Sequence, residues 1–272
     1  MLFVCPKCKS KFTISPDKRA VCENGHSFDR AKEGYYNLLL SAGGGTHGDN
    51  REMVLARRAF LESGAYEPLA KKILERVFDS VTDGAKILDG GCGEGYYTDF
   101  IERGLREKGV DAIVSGFDIS RDAVRYASKK NRSISLSVAS SYDIPVADGS
   151  VDCFINVFSP LALSETYRVL RPGGKFIMAI PDQSHLFGLK RVLYERPYKN
   201  TVEDSSLDGF TLTSKDKISY DLTLDTADKI RSLFMMTPYA YRTPKSAGES
   251  LLSMTSLTTE VEFIVFAYER NK

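Results

Sequence analysis

The sequence predicts an α/β fold in which a doubly wound, mostly parallel sheet follows a small N-terminal metal-binding module. Two observations predict the sheet: short apolar segments alternate with helical segments after residue 85, and a glycine-rich turn follows the first apolar segment. A third observation predicts the module. Three of the five cysteines lie in the first 40 residues, a block too short to build a self-sufficient core.

The composition limits the class of protein. The chain has 272 residues, 42% hydrophobic and 27% charged, which suits one large core with an accessory module and excludes a wholly disordered chain. No run of 18 apolar residues occurs and the first residues lack the apolar segment of a signal peptide, so we expect a cytoplasmic protein without a membrane span. A net charge of +1 disfavours coating of nucleic acid by bulk charge but leaves local basic patches open.

The chain is predicted to have three parts. Residues 1–42 form the metal-binding module, residues 43–52 a flexible linker, and residues 53–272 the larger domain. The linker is predicted because consecutive glycines at 43–45 and a further glycine at 48 favour neither a helix nor a strand.

The larger domain alternates helices with strands. Two helices come first, at 53–60 and 66–78, and the second repeats its apolar residues at helical spacing. Five strands follow, predicted at 86–89, 112–117, 134–138, 151–157 and 175–180, with helical segments between them through 100–105, 120–130 and 166–170. A turn is predicted at 171–174, where the sequence is Arg-Pro-Gly-Gly. This alternation is typical of a parallel, doubly wound sheet.

The last part of the chain has a different pattern. Apolar residues alternate with polar ones at 218–224 and again from 261 to 267, which predicts two late strands that form an antiparallel pair at an edge of the sheet. A helix is predicted between them at 230–238, ending in a Thr-Pro turn.

Four metal-ligating residues lie close together in the N-terminal module. Cys5 and Cys8 form a C-x2-C pair, and after thirteen residues Cys22 and His26 form a second pair. A tetrahedral Zn²⁺ needs four such ligands, and two short turns joined by a hairpin supply them. Because all four ligands come from the protein, the predicted zinc site is structural and has no open position for a substrate.

A glycine-rich turn follows the first strand of the larger domain. The turn is led by Asp89 and contains Gly91, Gly93, Glu94 and Gly95, in the pattern D-x-G-x-G-x-G. Glycines in this position let the backbone approach a ligand closely. Asp118 ends the next strand, 23 residues after Gly95, where an acidic side chain accepts hydrogen bonds from ribose hydroxyls.

Two ligands suit such a turn, a dinucleotide and S-adenosylmethionine. A sulfonium ligand has no pyrophosphate, so acidic residues at Asp89 and Glu94 suit it better than they suit phosphates. The later sequence Leu170-Arg171-Pro172-Gly173-Gly174-Lys175 is typical of class I methyltransferases. The sequence therefore favours a class I, Rossmann-like methyltransferase domain that binds S-adenosylmethionine.

The chain resembles a known family over nearly its whole length, the bacterial 23S rRNA (guanine-N1)-methyltransferases of the RlmA and tylosin-resistance type. The zinc cluster is one part of the resemblance. The other matching motifs are Phe28-Asp29-x-Ala31-Lys32-Glu33-Gly34-Tyr35-x-Asn37-Leu38-Leu39, Ala56-Arg57-Arg58-Ala59-Phe60-Leu61, Gly64-x-Tyr66-x-Pro68-Leu69, Gly91-Cys92-Gly93-Glu94-Gly95-Tyr96-Tyr97-Thr98, Ala139-Ser140-Ser141, His185-Leu186-x-x-Leu189-Lys190 and Met236-Thr237-Pro238.

The resemblance implies a site and a substrate. The implied zinc ligands are Cys5, Cys8, Cys22 and His26, and the predicted cofactor contacts are Tyr66, Asp89, Gly91, Gly93, Glu94, Gly95, Asp118, Ser140 and His185. The implied substrate is a guanine of 23S rRNA in a large-subunit hairpin loop, bound by the N-terminal module as an RNA-recognition element. Relatives also suggest a homodimer and a link to macrolide resistance.

The sequence departs from the family near the expected substrate pocket. Asn156 and the stretch 159–162 differ from the arginine and the Pro-Cys-Lys-Ala of some relatives. Gly90 replaces an expected aliphatic residue, which is predicted to loosen the strand packing. The exact guanine is therefore not predicted.

The chemistry requires an accessible guanine. Its N1 carries a proton on the Watson–Crick edge, so the base must be unpaired or flipped out before N1 attacks the methyl carbon of the sulfonium. No residue is a clear base. Asn156 is the candidate for orienting the guanine, and the turn 158–160 could shape a stacking pocket. For His185 three roles stay open: base, cofactor contact and structural residue.

Two other functions stay open on the sequence alone. One is a methyltransferase that acts on a small molecule or tRNA and whose zinc module is purely structural. The other is a non-catalytic RNA-binding protein that has kept the fold. Salt-dependent binding to an rRNA hairpin distinguishes the first from our prediction, and loss of S-adenosylmethionine affinity would support the second.

Overall fold

The computed structural model describes residues 1–40, 48–202 and 205–272. This part of the chain contains a three-stranded antiparallel sheet near the N terminus and an eight-stranded mixed sheet. The strands are β1 (Phe12–Ile14), β2 (Ala20–Cys22), β3 (Ser27–Phe28), β4 (Tyr36–Asn37), β5 (Lys86–Gly90), β6 (Ile113–Asp118), β7 (Ser135–Val138), β8 (Val151–Val157), β9 (Leu170–Pro181), β10 (Phe210–Leu224) and β11 (Leu257–Arg270). The helices are α1 (Arg51–Glu62), α2 (Glu67–Phe78), α3 (Tyr96–Glu107), α4 (Arg121–Lys130), α5 (Leu163–Val169), α6 (Phe187–Leu193), α7 (Ala227–Met235), α8 (Tyr239–Arg242) and α9 (Lys245–Leu252).

The strand order of the large sheet is β10-β11-β9-β8-β5-β6-β7-β4. Strands β5 to β7 follow one another outward in one direction, and β8 then returns to the other side of β5. The strand order therefore reverses between β5 and β8, which is the place where open parallel sheets bind ligands at their carboxyl edge. The predicted doubly wound, mostly parallel fold is confirmed.

The core lies on both faces of this sheet because neighbouring residues along a strand point to opposite sides. In β5, Ile87 packs into one buried cluster and Leu88 into the other. In β8, Ile155 and Phe154 divide in the same way. Such strands are buried on both sides, which explains the consecutive apolar residues at 87–88 in β5 and at 153–155 in β8.

The late strands form the predicted antiparallel pair. β10 pairs with β11 over its whole length, with Ile218 opposite Phe263 and Tyr220 opposite Val261. β11 also pairs antiparallel with β9, so β10 is the edge strand. The helix predicted between them at 230–238 ends earlier, as α7 at Met235, and α8 and α9 follow it.

The prediction of a turn at 171–174 is wrong. β9 begins at Leu170 and continues through this segment to Pro181. Val151 pairs with Leu170 but Cys153 pairs with Lys175, so the intervening residues form a bulge inside a paired strand. Gly173 has a φ of 73°, a conformation that a bulge and a turn both require.

The expectation that Gly90 loosens the strand packing is also wrong. A Cβ atom at this position would lie 2.4 Å from Cζ of Phe154 and 3.3 Å from Cζ of Phe117. Both rings are buried, so they occupy the space that an aliphatic side chain would need.

The N-terminal block is attached to the large sheet. β4 pairs in parallel with β7, Val4 N–H donates to Pro145 O over 2.8 Å, and Phe3 packs into the same core cluster as Leu88. Half of the predicted linker 43–52, residues 43–47, lies outside the described residues, and its last two residues belong to α1, which begins at Arg51. In the described ranges, no helix is both long enough and apolar enough to cross a membrane.

Candidate functional site

The four predicted metal ligands lie together. Their ligand atoms all lie within 4.8 Å of one another. Sγ of Cys8 lies 3.6 Å from Sγ of Cys22, and Nδ1 of His26 lies 3.5 Å from Sγ of Cys5 and of Cys22. These separations are those of the corners of a tetrahedron with ligand bonds of about 2.0–2.3 Å, so the residues fit a zinc ion.

Two short turns hold these ligands. Lys9 N–H donates to Cys5 O over 2.7 Å, and Lys9 adopts a φ of 59° just after the first ligand pair. Gly25 N–H donates to Cys22 O over 2.9 Å, with a φ of 77° before His26. Side chains of Asn24 and Ser10 lower the pKa of the Cys8 thiol to about 5, which favours the thiolate that binds metal.

The glycine turn lies at the carboxyl end of β5. Gly91 has a φ of 81°, and a Cβ atom there would lie 2.0 Å from Oγ of Ser159. Gly95 has a φ of 83° and caps α3, and a Cβ atom there would lie 2.8 Å from the Cβ of Ala127 in α4. Above Gly93 the space is open, since a Cβ atom would meet only Arg57 at 3.9 Å. The turn therefore packs tightly below and leaves room for a ligand above.

Asp118 is fixed at the carboxyl end of β6, next to this turn. Its Oδ2 accepts from Gly93 N–H over 3.0 Å and its Oδ1 from Ser120 N–H over 2.7 Å. A carboxylate has about four acceptor positions, so two remain for ligand hydroxyls. Burial raises the pKa of Asp118, and the two backbone hydrogen bonds act against that shift.

Asp89 lies below the turn and is buried. Its Oδ2 accepts from Oγ1 of Thr98, in α3, over 2.6 Å. Burial raises the pKa of Asp89 to about 7, while the hydrogen bond from Thr98 acts against the shift. The contact ties α3 to β5 and so fixes both ends of the turn.

Glu94 is the least satisfied polar group of the turn. Its side chain is 2% exposed, and among the residues that the structure describes neither buried carboxylate oxygen has a hydrogen-bond partner. Nζ of Lys130 lies 3.8 Å from Oε2 of Glu94. Burial raises the pKa of Glu94, and Lys130 acts against this shift. A buried acceptor with no donor is costly, and donors of a bound ligand would satisfy it.

Tyr66 and His185 meet in the interior, although 119 residues separate them. Nδ1 of His185 accepts from Glu262 N–H over 3.3 Å, so the ring proton of neutral histidine lies on Nε2. Nε2 then donates to the Tyr66 hydroxyl oxygen over 3.2 Å. The Tyr66 hydroxyl keeps its own proton for another acceptor.

This arrangement disfavours His185 as a general base. Both ring nitrogens take part in hydrogen bonds, and burial, with a contribution from Lys190, lowers the pKa of His185 to about 3. The ring is therefore neutral at physiological pH and has no free lone pair directed at a substrate.

The two other predicted contacts have local partners. Ser140 follows Ala139, whose N–H donates to Asp118 O over 3.1 Å, and Oγ of Ser140 accepts from Tyr142 N–H over 3.1 Å. Nδ2 of Asn156 lies 3.5 Å from Gly90 O, so this side chain links β8 to the end of β5.

Sequence reasoning missed a contact that spans the site. Arg57, in α1, forms an ion pair with Asp49 and lies beside Gly93, and the Asp49 carbonyl accepts from Oγ of Ser120 over 2.7 Å. The sequence predicted this helix at 53–60, but nothing in the sequence predicts the ion-pair partner of Arg57.

The sequence matches two family models. Residues 3–40 match the family described as RlmA, N-terminal, and residues 88–178 match the family described as Methyltransferase domain. The first match covers the zinc cluster and the second covers the glycine turn, Asp118 and Asn156.

Three relatives are similar over much of the chain. YxjB of Bacillus subtilis (strain 168), provisionally named a 23S rRNA (guanine-N(1)-)-methyltransferase, is 31% identical over 97% of this chain and 96% of its own. The 23S rRNA (guanine(748)-N(1))-methyltransferase of Streptomyces fradiae is 37% identical over 67% of this chain and 64% of its own. A protein of Micromonospora griseorubida, provisionally named a 23S rRNA (guanine-N(1)-)-methyltransferase, is 30% identical over 88% of this chain and 86% of its own.

Proposed function

The chain belongs to the family of 23S rRNA (guanine-N1)-methyltransferases, and on that premise we propose that it transfers a methyl group from S-adenosylmethionine to N1 of a guanine in 23S rRNA. The proposal rests on one observation, the occurrence of two motifs together in one chain. A four-ligand metal cluster and an acid-led glycine turn occur in one chain that aligns with a relative of that name over 97% of its length.

The residues of the turn fit the proposed cofactor. The open space above Gly93 suits a ligand with hydrogen-bond donors, and so does the carboxylate of Glu94, which no described residue hydrogen-bonds. The two remaining acceptor positions of Asp118 suit ribose hydroxyls. The hydroxyl of Tyr66 has a proton to donate, which suits a carboxylate group of the ligand as the hydrogen-bond acceptor. When bound, S-adenosylmethionine supplies the methyl group on its positively charged sulfur. Asp89, Gly91, Gly95 and Ser140 complete the predicted contacts.

The protein's own task is to present the guanine. N1 lies on the pairing edge of the base, so the target is unpaired, and we place it in a hairpin loop of the large-subunit RNA. Positioning supplies most of the rate in such a transfer. No residue among those described is assigned as the base, and Asn156 remains the candidate for orienting the guanine.

The N-terminal module serves the RNA in this proposal. Its exposed cations include Lys7, Lys11 and Lys18, none of them in an ion pair among the described residues. Such cations bind phosphates, and a structural zinc ion keeps their spacing fixed. We also propose a cytoplasmic enzyme that acts as a homodimer.

A transfer assay tests the proposed function. Purified protein is incubated with S-adenosylmethionine labelled in the methyl group and with a 23S rRNA transcript, and the RNA is digested to nucleosides. We expect label in 1-methylguanosine. Asp118→Ala should abolish the product, whereas Asp111→Ala, at an exposed position, should not.

Two results would overturn the proposal. Label in tRNA alone would favour the alternative with another acceptor. Absence of labelled RNA, together with absence of S-adenosylmethionine binding, would favour a non-catalytic RNA-binding protein.

A further inference from the structure

Phe158 is an aromatic residue in an unusual conformation and place. It follows the last residue of β8, its φ is 55°, and it is 43% exposed. A bulky side chain rarely adopts this left-handed backbone conformation, because Cβ crowds the backbone. A strained residue of this kind persists where the surrounding structure holds it and often where function requires it.

The position of Phe158 is the point where the strand order reverses. Phe158 N–H donates to Ala179 O over 3.2 Å, which continues the pairing of β8 with β9. The next residue, Ser159, packs on Gly91 at the base of the glycine turn. Phe158 is therefore beside the proposed cofactor site, at the edge where the acceptor must also lie.

Two aromatic side chains hold the ring of Phe158. Its centroid lies 5.3 Å from that of Phe263, which is fully buried in β11, and 6.4 Å from that of Tyr97 in α3, at an interplanar angle of 75°. The hydroxyl of Tyr97 is buried and has no hydrogen-bond partner among the described residues. The ring of Phe158 is thus fixed from the interior and open to solvent, with an unused polar group nearby.

We propose that Phe158 is the platform on which the target guanine stacks during methyl transfer. This inference rests on the proposed function, which requires an unpaired base at this edge of the sheet. An extruded base loses its stacking neighbours in the RNA, and an exposed aromatic ring replaces them. Stacking also restricts the base to one plane, which aligns N1 for attack.

Four variants test the inference. Phe158→Tyr and Phe158→Trp keep an aromatic face, whereas Phe158→Leu keeps an apolar side chain without one. Phe158→Gly removes the side chain but relieves the left-handed φ, so its melting temperature should stay close to that of the wild type. For each variant the KM for 23S rRNA, kcat, and the Kd for S-adenosylmethionine are measured.

The expected pattern separates substrate stacking from a structural role. Phe158→Leu and Phe158→Gly should lower kcat/KM for RNA by roughly 10- to 100-fold, while the Kd for S-adenosylmethionine changes little. Phe158→Tyr and Phe158→Trp should keep most of the activity.

Three results would overturn the inference, and they are distinguishable. If the wild type methylates 23S rRNA and Phe158→Leu does so equally well, only the stacking role fails. If the wild type places no methyl group on 23S rRNA, the proposed function fails and the inference falls with it. If Phe158→Leu and Phe158→Gly bind S-adenosylmethionine more weakly than the wild type and also melt at a lower temperature, Phe158 has a structural role instead.

Discussion

At the scale of single residues, Glu94 shows how a proposed binding site can oppose stability. Its carboxylate is buried, has no hydrogen-bond partner in the described ranges 1–40, 48–202 and 205–272, and lies 3.8 Å from Nζ of Lys130. Charged groups in such surroundings lower the stability of the free protein, and they persist where a ligand compensates for them.

We predict opposite effects of Glu94→Gln on stability and binding. Burial raises the pKa of Glu94, so the carboxylate costs stability once the pH rises above its unfolded value. The neutral amide should raise the free energy of unfolding at pH 7.5 by about 1 kcal/mol. The affinity for S-adenosylmethionine should fall about tenfold or more, because a charged acceptor is lost. Denaturant unfolding and titration calorimetry measure the two quantities.

The matched control is Glu62→Gln. Glu62 also pairs with Lys130, at 3.4 Å, but its side chain is 42% exposed. This change should leave both stability and binding nearly unaltered. Equal affinities for Glu94→Gln and the wild type would remove Glu94 from the cofactor site.

His185 should make stability depend on pH in the acid range. Its folded pKa is about 3 and its unfolded value is about 6.5, so the unfolded chain binds the extra proton between these values. The contribution of neutral His185 to the free energy of unfolding is therefore lost as the pH falls from about 6.5 toward 3. The loss is at most about 1.4 kcal/mol per pH unit. His185→Gln should flatten this slope relative to the wild type in denaturant unfolding from pH 7.5 to pH 4.5. A slope that the substitution leaves unchanged would show that His185 titrates normally.

At the scale of elements, the sequence predicted the strands well where their apolar pattern is strong. The strand predicted at 151–157 is β8, and the two late alternating segments are β10 and β11. The bulge at 171–174 was not predicted, because proline and glycine mark a bulge and a turn alike.

Gly90 was wrongly expected to loosen the strand packing, and its close contact with Phe154 gives a prediction about stability. Gly90→Ala should lower the free energy of unfolding by about 1–3 kcal/mol, since Cβ would overlap the Phe154 ring. In a Phe154→Leu background, where a shorter side chain replaces the ring, Gly90→Ala should lower the free energy of unfolding by clearly less. A double-mutant cycle in urea measures the coupling. Strictly additive effects of the two substitutions would mean that Gly90 is not kept small by Phe154.

At the scale of the whole molecule, the N-terminal module and the cofactor site are physically connected. β4 extends the large sheet beside β7, and Lys9 pairs with Asp143 at 2.5 Å. The backbone of Phe3 forms an isolated antiparallel β-bridge with that of Val146. These contacts hold the segment that begins with Ser140, a predicted cofactor contact. A two-residue strand has no periodicity, so the sequence could not reveal this connection.

We therefore predict that removal of the metal weakens cofactor binding. Chelation should unfold the small module, because a block of this size depends on its metal, and the segment 139–146 should lose its support. The Kd for S-adenosylmethionine, measured by calorimetry, should rise several-fold and recover when Zn²⁺ is restored. Cys8→Ser should behave like the chelated protein, and Asp17→Asn, exposed in the same module, like the wild type. An unchanged Kd after complete metal removal would show that the two sites are independent.

The site itself was predictable only in part. The glycine turn and Asp118 follow from local sequence, because both lie where a strand ends. The ion pair of Arg57 with Asp49 and the ring contact of Phe158 with Phe263 depend on how distant elements pack. A single sequence contains no periodic signal for such contacts.

The most direct test of the proposed activity is primer extension by reverse transcriptase along 23S rRNA from wild-type cells and from cells that lack the gene. A methyl group on N1 of guanine blocks base pairing and stops the enzyme one nucleotide before the modified base. We predict one stop before a guanine in wild-type RNA, its absence in the deletion, and its return when the gene is restored. Identical traces from the two strains along the whole 23S rRNA would contradict the assignment of 23S rRNA as the substrate.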